Sequence, residues 1–165
     1  MTTLFTVGHS TAALYDLVAL MQEHRVEMLV DVRSKPTSRT QHFDYAPLEA
    51  AIDSTGITYL SMGHKLGGIP RDPSASARWQ SGRLDPVVIA HLRSTEEWFD
   101  GLSELAKMIR RGQSLCLMCA EADPDQCHRK AIALDLADLI PDLEITHLAV
   151  GKAAKQELGL QEVIP

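Results

Sequence analysis

Cysteine is scarce in this 165-residue chain: there are three, at positions 116, 119 and 127. An odd number without framework spacing argues against a disulfide-stapled secreted domain and for a reducing, cytoplasmic setting. No apolar run approaches the roughly 18 residues that a membrane span needs. The start, "MTTLFTVGHS", has neither the basic residues nor the long apolar stretch of a signal peptide. Internal repeats and low-complexity tracts are lacking too, and so is excess positive charge. A net charge of −6 argues against general coating of nucleic acid. What remains is one domain over residues 1–165, with the apolar and charged content of an ordinary soluble protein.

The charge is unevenly spread. From Arg33 to Arg83 seven Lys/Arg face four Asp/Glu, so that segment is +3 and the remainder −9. The wider loop-rich region, residues 33–93, also carries Pro36, Pro70, Pro73 and the aromatics Phe43, Tyr45 and Trp79. This composition fits a solvated loop region. It also fits a footprint for a phosphate or a stretch of nucleic acid.

Strand and helix signals alternate along the chain. "LFTVG", "VEMLVDVR", "ITYLSM", "SLCLMCA" and "LEITHLAV" read as strands. Between them, a helix capped by Ser10 or Thr11 carries Leu14, Leu17, Val18 and Met21 at helical spacing. "PLEAAIDSTG" makes a short helix, and another is expected near Val87–Leu92. "STEEWFDGLSELAKMIRRG" makes a long one, with Ser94 and Glu97 as a capping box. The last, "PDQCHRKAIALDLADLI", starts with Asp123 as N-cap, Pro124 in the first position and Gln126 closing a capping box. The alternation predicts a three-layer α/β sandwich. Its sheet is mainly parallel, with about five strands and a flavodoxin- or Rossmann-like winding.

In such sheets ligands bind beyond the carboxyl ends of the strands. Each unusual polar cluster follows a strand: Gly8-His9-Ser10, Asp31-Val32-Arg33, Gly63-His64-Lys65 with Gly67-Gly68, and Cys119-Ala120-Glu121. If the fourth strand lies beside the first, His9 and Cys119 flank the switch point. Cys127, His128 and Arg129 fall in the first turn of the last helix, where free amides and the helix dipole favour an anion. Cys127 there is either an easily ionised thiol or a small core residue. Cys119 stands at a strand end, where a nucleophile would be placed. Cys116, inside the strand, reads as core.

The segments "TVGHS", "DVRSKPTS", "GITYLSMGHKLGG" and "LCLMCAEADPDQCHR", with Phe43 between them, together resemble domain-of-unknown-function family 488 over roughly Thr6 to Leu139. The resemblance implies a site at its motif positions: Gly8, His9, Ser10, Asp31, Arg33, Pro36, Ser38, Gly67, Gly68, Cys119, Glu121, Cys127, His128 and Arg129.

The expectation is an enzyme acting on a phosphate-bearing nucleotide or nucleic-acid substrate, by hydrolysis or transfer at an N-glycosidic bond or a modified base. Glu121 is expected as general acid/base, with Cys119 and His9 completing the catalytic set. Ser10, Asp31, Arg33, Gly67, Gly68, Cys127, His128 and Arg129 are expected to bind the anion. No cofactor is required by this reading, and no membrane partner. Two alternatives belong to other classes. One is a non-catalytic nucleotide-binding module. The other is a metal protein using Cys119, Cys127 and His128, against which stands the expectation that neighbouring residues on one helix turn point apart.

Overall fold

A computed structural model describes residues 2–151. The expected domain over 1–165 therefore includes Met1 and residues 152–165, which lie outside the described part.

Five parallel strands run in the order β3-β2-β4-β1-β5. They are β1 (Thr2–Gly8), β2 (Met28–Asp31), β3 (Thr58–Ser61), β4 (Leu115–Cys119) and β5 (Leu143–Leu148). Helix α1 (Leu14–Glu23) joins β1 to β2, and α2 (Tyr45–Asp53) joins β2 to β3. Four helices separate β3 from β4: the single turns α3 (Gly63–Leu66) and α4 (Pro73–Ser76), then α5 (Pro86–Arg93) and α6 (Glu96–Arg110). Helix α7 (His128–Leu139) leads to β5. Among the described residues no helix is long and apolar enough to cross a membrane.

Both faces of the sheet are covered, as a parallel sheet requires. Leu17 and Met21 of α1 and Leu48 and Ile52 of α2 pack on one face with Leu29, Cys116 and Met118. Leu102, Leu105 and Ile109 of α6 and Ile132 and Leu136 of α7 pack on the other with Leu117 and Cys119. Because strand side chains alternate, residues 116 and 119 point to opposite faces. Cys116 is therefore core on the α1–α2 side, and Cys119 looks toward α7.

Strand β4 is inserted between β2 and β1, so the order is neither that of flavodoxin nor that of the dinucleotide-binding fold. This moves the switch point. From β2 the chain leaves toward β3 on one face, and from β4 it leaves toward β5 on the other. The two connections diverge, and a crevice opens between the carboxyl ends of β2 and β4. His9 does adjoin Cys119, its backbone N–H donating to the Cys119 carbonyl at 2.9 Å, but the crevice lies on the far side of β4.

Three helix starts differ from expectation for local reasons. Ser10 sits at φ 43°, held by its N–H on the Ala120 carbonyl, so α1 can begin only later, with Ala13 as N-cap. Ser94 closes α5, which leaves Thr95 to cap α6 by accepting from the Trp98 amide. Asp123 caps as expected, yet only a single 3₁₀ turn over Pro124–Gln126 follows. The chain then extends at Cys127 (φ −134°, ψ 136°), and Cys127 becomes the N-cap of α7.

Candidate active site

The crevice between β2 and β4 holds a cavity of about 260 Å³. Cys119 and Glu121 reach it from the end of β4, Cys127 and His128 from the start of α7, and Gly68 from the loop after α3. The segment 79–85 roofs it with Trp79, Leu84 and Arg83. Glu121 fastens that roof, since one carboxylate oxygen accepts from the Ser81 hydroxyl at 3.1 Å and from the Gly82 amide at 3.0 Å. A second cleft of about 680 Å³ shares the wall formed by Ser34, Lys35 and Ile69, and continues past His64, Arg71 and His91.

At the floor stand two sulfurs and an imidazole. Cys119 Sγ and Cys127 Sγ each lie 3.9 Å from His128 Nδ1, and all three atoms fall within 4.8 Å of one another. The kink at Cys127 makes this possible. As an N-cap in extended backbone it turns its side chain back toward Cys119, so Cys127 and His128 meet instead of pointing apart. The ring of His128 is fixed from behind, its Nε2 lying 2.9 Å from the Val32 carbonyl. A carbonyl only accepts, so Nε2 carries the proton, and in the neutral ring Nδ1 faces the sulfurs with a lone pair. Gly68 packs so closely on this ring that a Cβ there would stand 2.5 Å from Nδ1.

The two thiols titrate in opposite directions. The neighbouring Cys119 thiol pulls Cys127 well below the usual cysteine range; burial opposes the shift, and the charge of Arg129 adds to it. The same pairing, together with burial, pushes Cys119 up. The helix start also favours negative charge at Cys127. Cys127 is thus the more readily ionised of the two, where the strand-end argument had favoured Cys119. Burial holds Cys116 protonated. Two chemistries are open to this trio: a thiolate nucleophile, or soft donors to a cation.

Other motif residues form a separate, closed cluster on the α1–α2 side. Asp31 is fully buried and takes Arg33 Nε at 2.9 and 3.1 Å and its NH2 at 2.6 Å, while the Tyr59 hydroxyl donates to it as well. Arg33 NH1 donates to the Phe43 carbonyl at 2.9 Å and to His9 Nε2 at 3.2 Å. His9 stacks on Phe43, with ring centroids 4.2 Å apart, and its Nδ1 lies 3.0 Å from the Ser10 carbonyl. An arginine only donates and a carbonyl only accepts, so both ring nitrogens are engaged in the neutral tautomer. Burial, then Arg33, lowers the His9 pKa. As placed, His9 has no nitrogen for acid–base work, and Arg33 commits four of its five guanidinium N–H groups within this cluster.

Arg129 is likewise buried and committed. It donates to the carbonyls of Glu121 and Ala122 and reaches Thr6 Oγ1 at 3.4 Å. Its guanidinium clamps the loop that carries Glu121, instead of meeting an anion. Gly8 supports the same loop, because a Cβ there would come within 1.8 Å of the Glu121 carbonyl oxygen. Of the expected site residues, the cavity thus gathers Arg33, Gly68, Cys119, Glu121, Cys127 and His128. His9, Ser10, Asp31 and Arg129 lie outside both clefts, and Gly67 faces the second.

Lys35, Trp79, Ser81, Arg83 and Gln126 were missed as site residues. The positive balance of 33–83 marked the segment but not which cations face the cavity. Lys35 and Arg83 do, and among the described residues neither is in an ion pair.

A family model described as domain of unknown function DUF488 matches residues 12–136, well over half of the chain. The chain belongs to the DUF488 family. No curated protein and no solved structure matches it. The DUF488 match runs through Asp31, Gly68, Cys119, Glu121 and the Cys127-His128-Arg129 triplet, and leaves His9 and Ser10 just outside.

Proposed function

We propose that the protein is an enzyme acting on a phosphate-bearing nucleotide or nucleic-acid substrate, by hydrolysis or transfer at a carbon centre such as an N-glycosidic bond or a modified base. One observation carries the reading. A single cavity joins Cys119, Glu121, Cys127 and His128 to a partly apolar wall under Trp79, with the unpaired cations Lys35 and Arg83 at its side. Ile69, Leu84, Val88 and Trp79 suit the flat apolar faces of a base. The two cations suit a phosphate, a role that falls to them because Arg33 and Arg129 are committed elsewhere. The neighbouring cleft gives room for a sugar-phosphate or a flanking nucleotide.

Glu121 is the proton-transfer group of this proposal. Its carboxylate joins the roof to the trio's cavity, whereas Asp85, the other carboxylate that lines this cavity, is taken up by Arg78 and the Val87 amide. Substrate that draws Ser81 and Gly82 off the carboxylate frees it to move a proton. Gly8 and Arg129 hold its backbone meanwhile. Reduced thiols at a reacting centre suit the cytoplasm, and we place the protein there.

The test uses Trp79, the exposed one of the chain's two tryptophans. Nucleoside monophosphates are expected to quench its fluorescence saturably, with affinity reduced about tenfold or more in a Lys35→Ala/Arg83→Ala double variant. Glu121→Gln should retain binding and lose turnover of the bound nucleotide, followed by mass spectrometry, by about 10²–10⁴-fold. Binding without any chemical change in wild type would make the protein a binding module. Absence of binding would remove the nucleotide class altogether.

A further inference from the structure

We propose that Cys119 Sγ, Cys127 Sγ and His128 Nδ1 are three corners of a tetrahedral site for a soft divalent cation, with Zn²⁺ as the first choice. The fourth position opens into the cavity. The inference rests on the reading of this trio as part of the reacting centre, and it names the cofactor of that centre.

Distance is the first argument. Zinc bonds of about 2.3 Å to sulfur and 2.0–2.1 Å to nitrogen place tetrahedral corners about 3.6 Å apart for S···N and about 3.8 Å for S···S. The two S···N separations here are both 3.9 Å, and the three atoms lie within 4.8 Å. A contraction of a few tenths of an ångström brings both S···N edges to the tetrahedral spacing. The two equal separations are compatible with a shared central partner.

Orientation is the second argument. A metal-binding histidine donates its other N–H to a carbonyl or carboxylate, which fixes the tautomer and aims the ring. His128 does so through Nε2 to the Val32 carbonyl at 2.9 Å, leaving Nδ1 bare toward the sulfurs. Val32 follows β2, the strand beside β4, so the ring is braced by a different strand from the one that carries Cys119. Gly68 closes the other side of the ring, where no side chain fits. The donors therefore stand on rigid backbone: a strand end, a helix N-cap and the first helical residue.

Donor set and access form the third argument. Two thiolates and one imidazole select zinc-like ions over magnesium or calcium, which take oxygen. Three protein donors with one side open is the pattern of a working zinc, whereas a structural zinc is closed by four. Cys119, Cys127 and His128 all line the cavity that Glu121 enters. A water or a substrate atom at the fourth position would meet the carboxylate's side of that cavity.

The experiment uses full-length protein purified without a histidine tag. Elemental analysis is expected to give one zinc per chain. Chelator-treated protein titrated with Co²⁺ should show sulfur-to-cobalt charge transfer and strong tetrahedral visible bands, saturating at one equivalent. Cys119→Ser, Cys127→Ser and His128→Ala should each lose the stoichiometric band, and Cys116→Ser, on the other face of the sheet, should keep it. Should a variant fail to fold, wild type alone still decides: Zn²⁺ should protect Cys119 and Cys127 from alkylation in mass-mapped digests. No stoichiometric ion and no protection overturns the inference. Metal bound without any nucleotide binding sinks the substrate reading alone. Nucleotide turnover by metal-free protein, with Co²⁺ not taken up, sinks the metal alone.

Discussion

Two clusters of motif residues stand at the carboxyl edge of one sheet, on opposite faces. On the α1–α2 side, His9, Asp31, Arg33, Phe43 and Tyr59 form a buried set in which both nitrogens of His9 and the Asp31 carboxylate already have partners. On the α7 side, Cys119, Cys127 and His128 keep donor atoms turned toward one another and toward a cavity. Both arise from the same kind of signal, polar residues placed straight after a parallel strand. What separates them is satisfaction. A cluster whose hydrogen-bonding capacity is met within the protein holds loops in place, whereas one with capacity left over, beside an opening, can act on a ligand.

The comparison breaks most visibly on stability. Arg33→Ala leaves the Asp31 carboxylate buried without its ion pair, and should cost about 3–5 kcal/mol in denaturant unfolding. A cost under about 1 kcal/mol, accompanied by weaker nucleotide binding, would move Arg33 to the open cluster. Arg129→Ala comes next. It leaves the Glu121 and Ala122 carbonyls without their charged donor and should cost about 2–4 kcal/mol, with Arg129→Lys recovering little because one ammonium cannot span both.

The open cluster should behave otherwise. Glu121→Gln ought to change global stability by less than about 0.5 kcal/mol. It should still speed hydrogen exchange at the Gly82 amide, which loses a charged acceptor. Unchanged exchange would mean that the roof is held by something other than Glu121.

The smallest effect is on pH dependence. His9 has a lowered pKa in the folded protein, so the unfolded chain binds the extra proton between that value and 6.5. Stability should therefore fall as pH drops below 6.5, through and down to the lowered value. His147 is shifted the same way, chiefly by burial, and adds to the slope. His9→Gln should flatten the curve in part, as read from unfolding midpoints at stepped pH.

Much of this organisation was legible from sequence. Short apolar runs located the five strands, and apolar residues at helical spacing located the long helices. The three-residue step from Cys116 to Cys119 separates a core thiol from a site thiol through strand geometry alone. Burial of the arginines was not legible, because their partners come from afar: Phe43 for Arg33, Thr6 for Arg129. Nor was the kink at Cys127, since Asp123-Pro124 carries a valid helix-start signal that serves only one 3₁₀ turn. The segment 79–85 matched no pattern, as its role lies in contacts with Glu121 some forty positions away.

The central claim is that the working site lies on the α7 face and that Cys127 is its more readily ionised sulfur. Rates of alkylation of the three cysteines in native, chelator-treated wild type at neutral pH, mapped by mass spectrometry with and without a nucleoside monophosphate, test it most directly. The account predicts Cys127 fastest and Cys116 protected until unfolding, with the nucleotide slowing Cys127. Equal protection of Cys127 and Cys116, or a Cys127 rate indifferent to nucleotide, would contradict it.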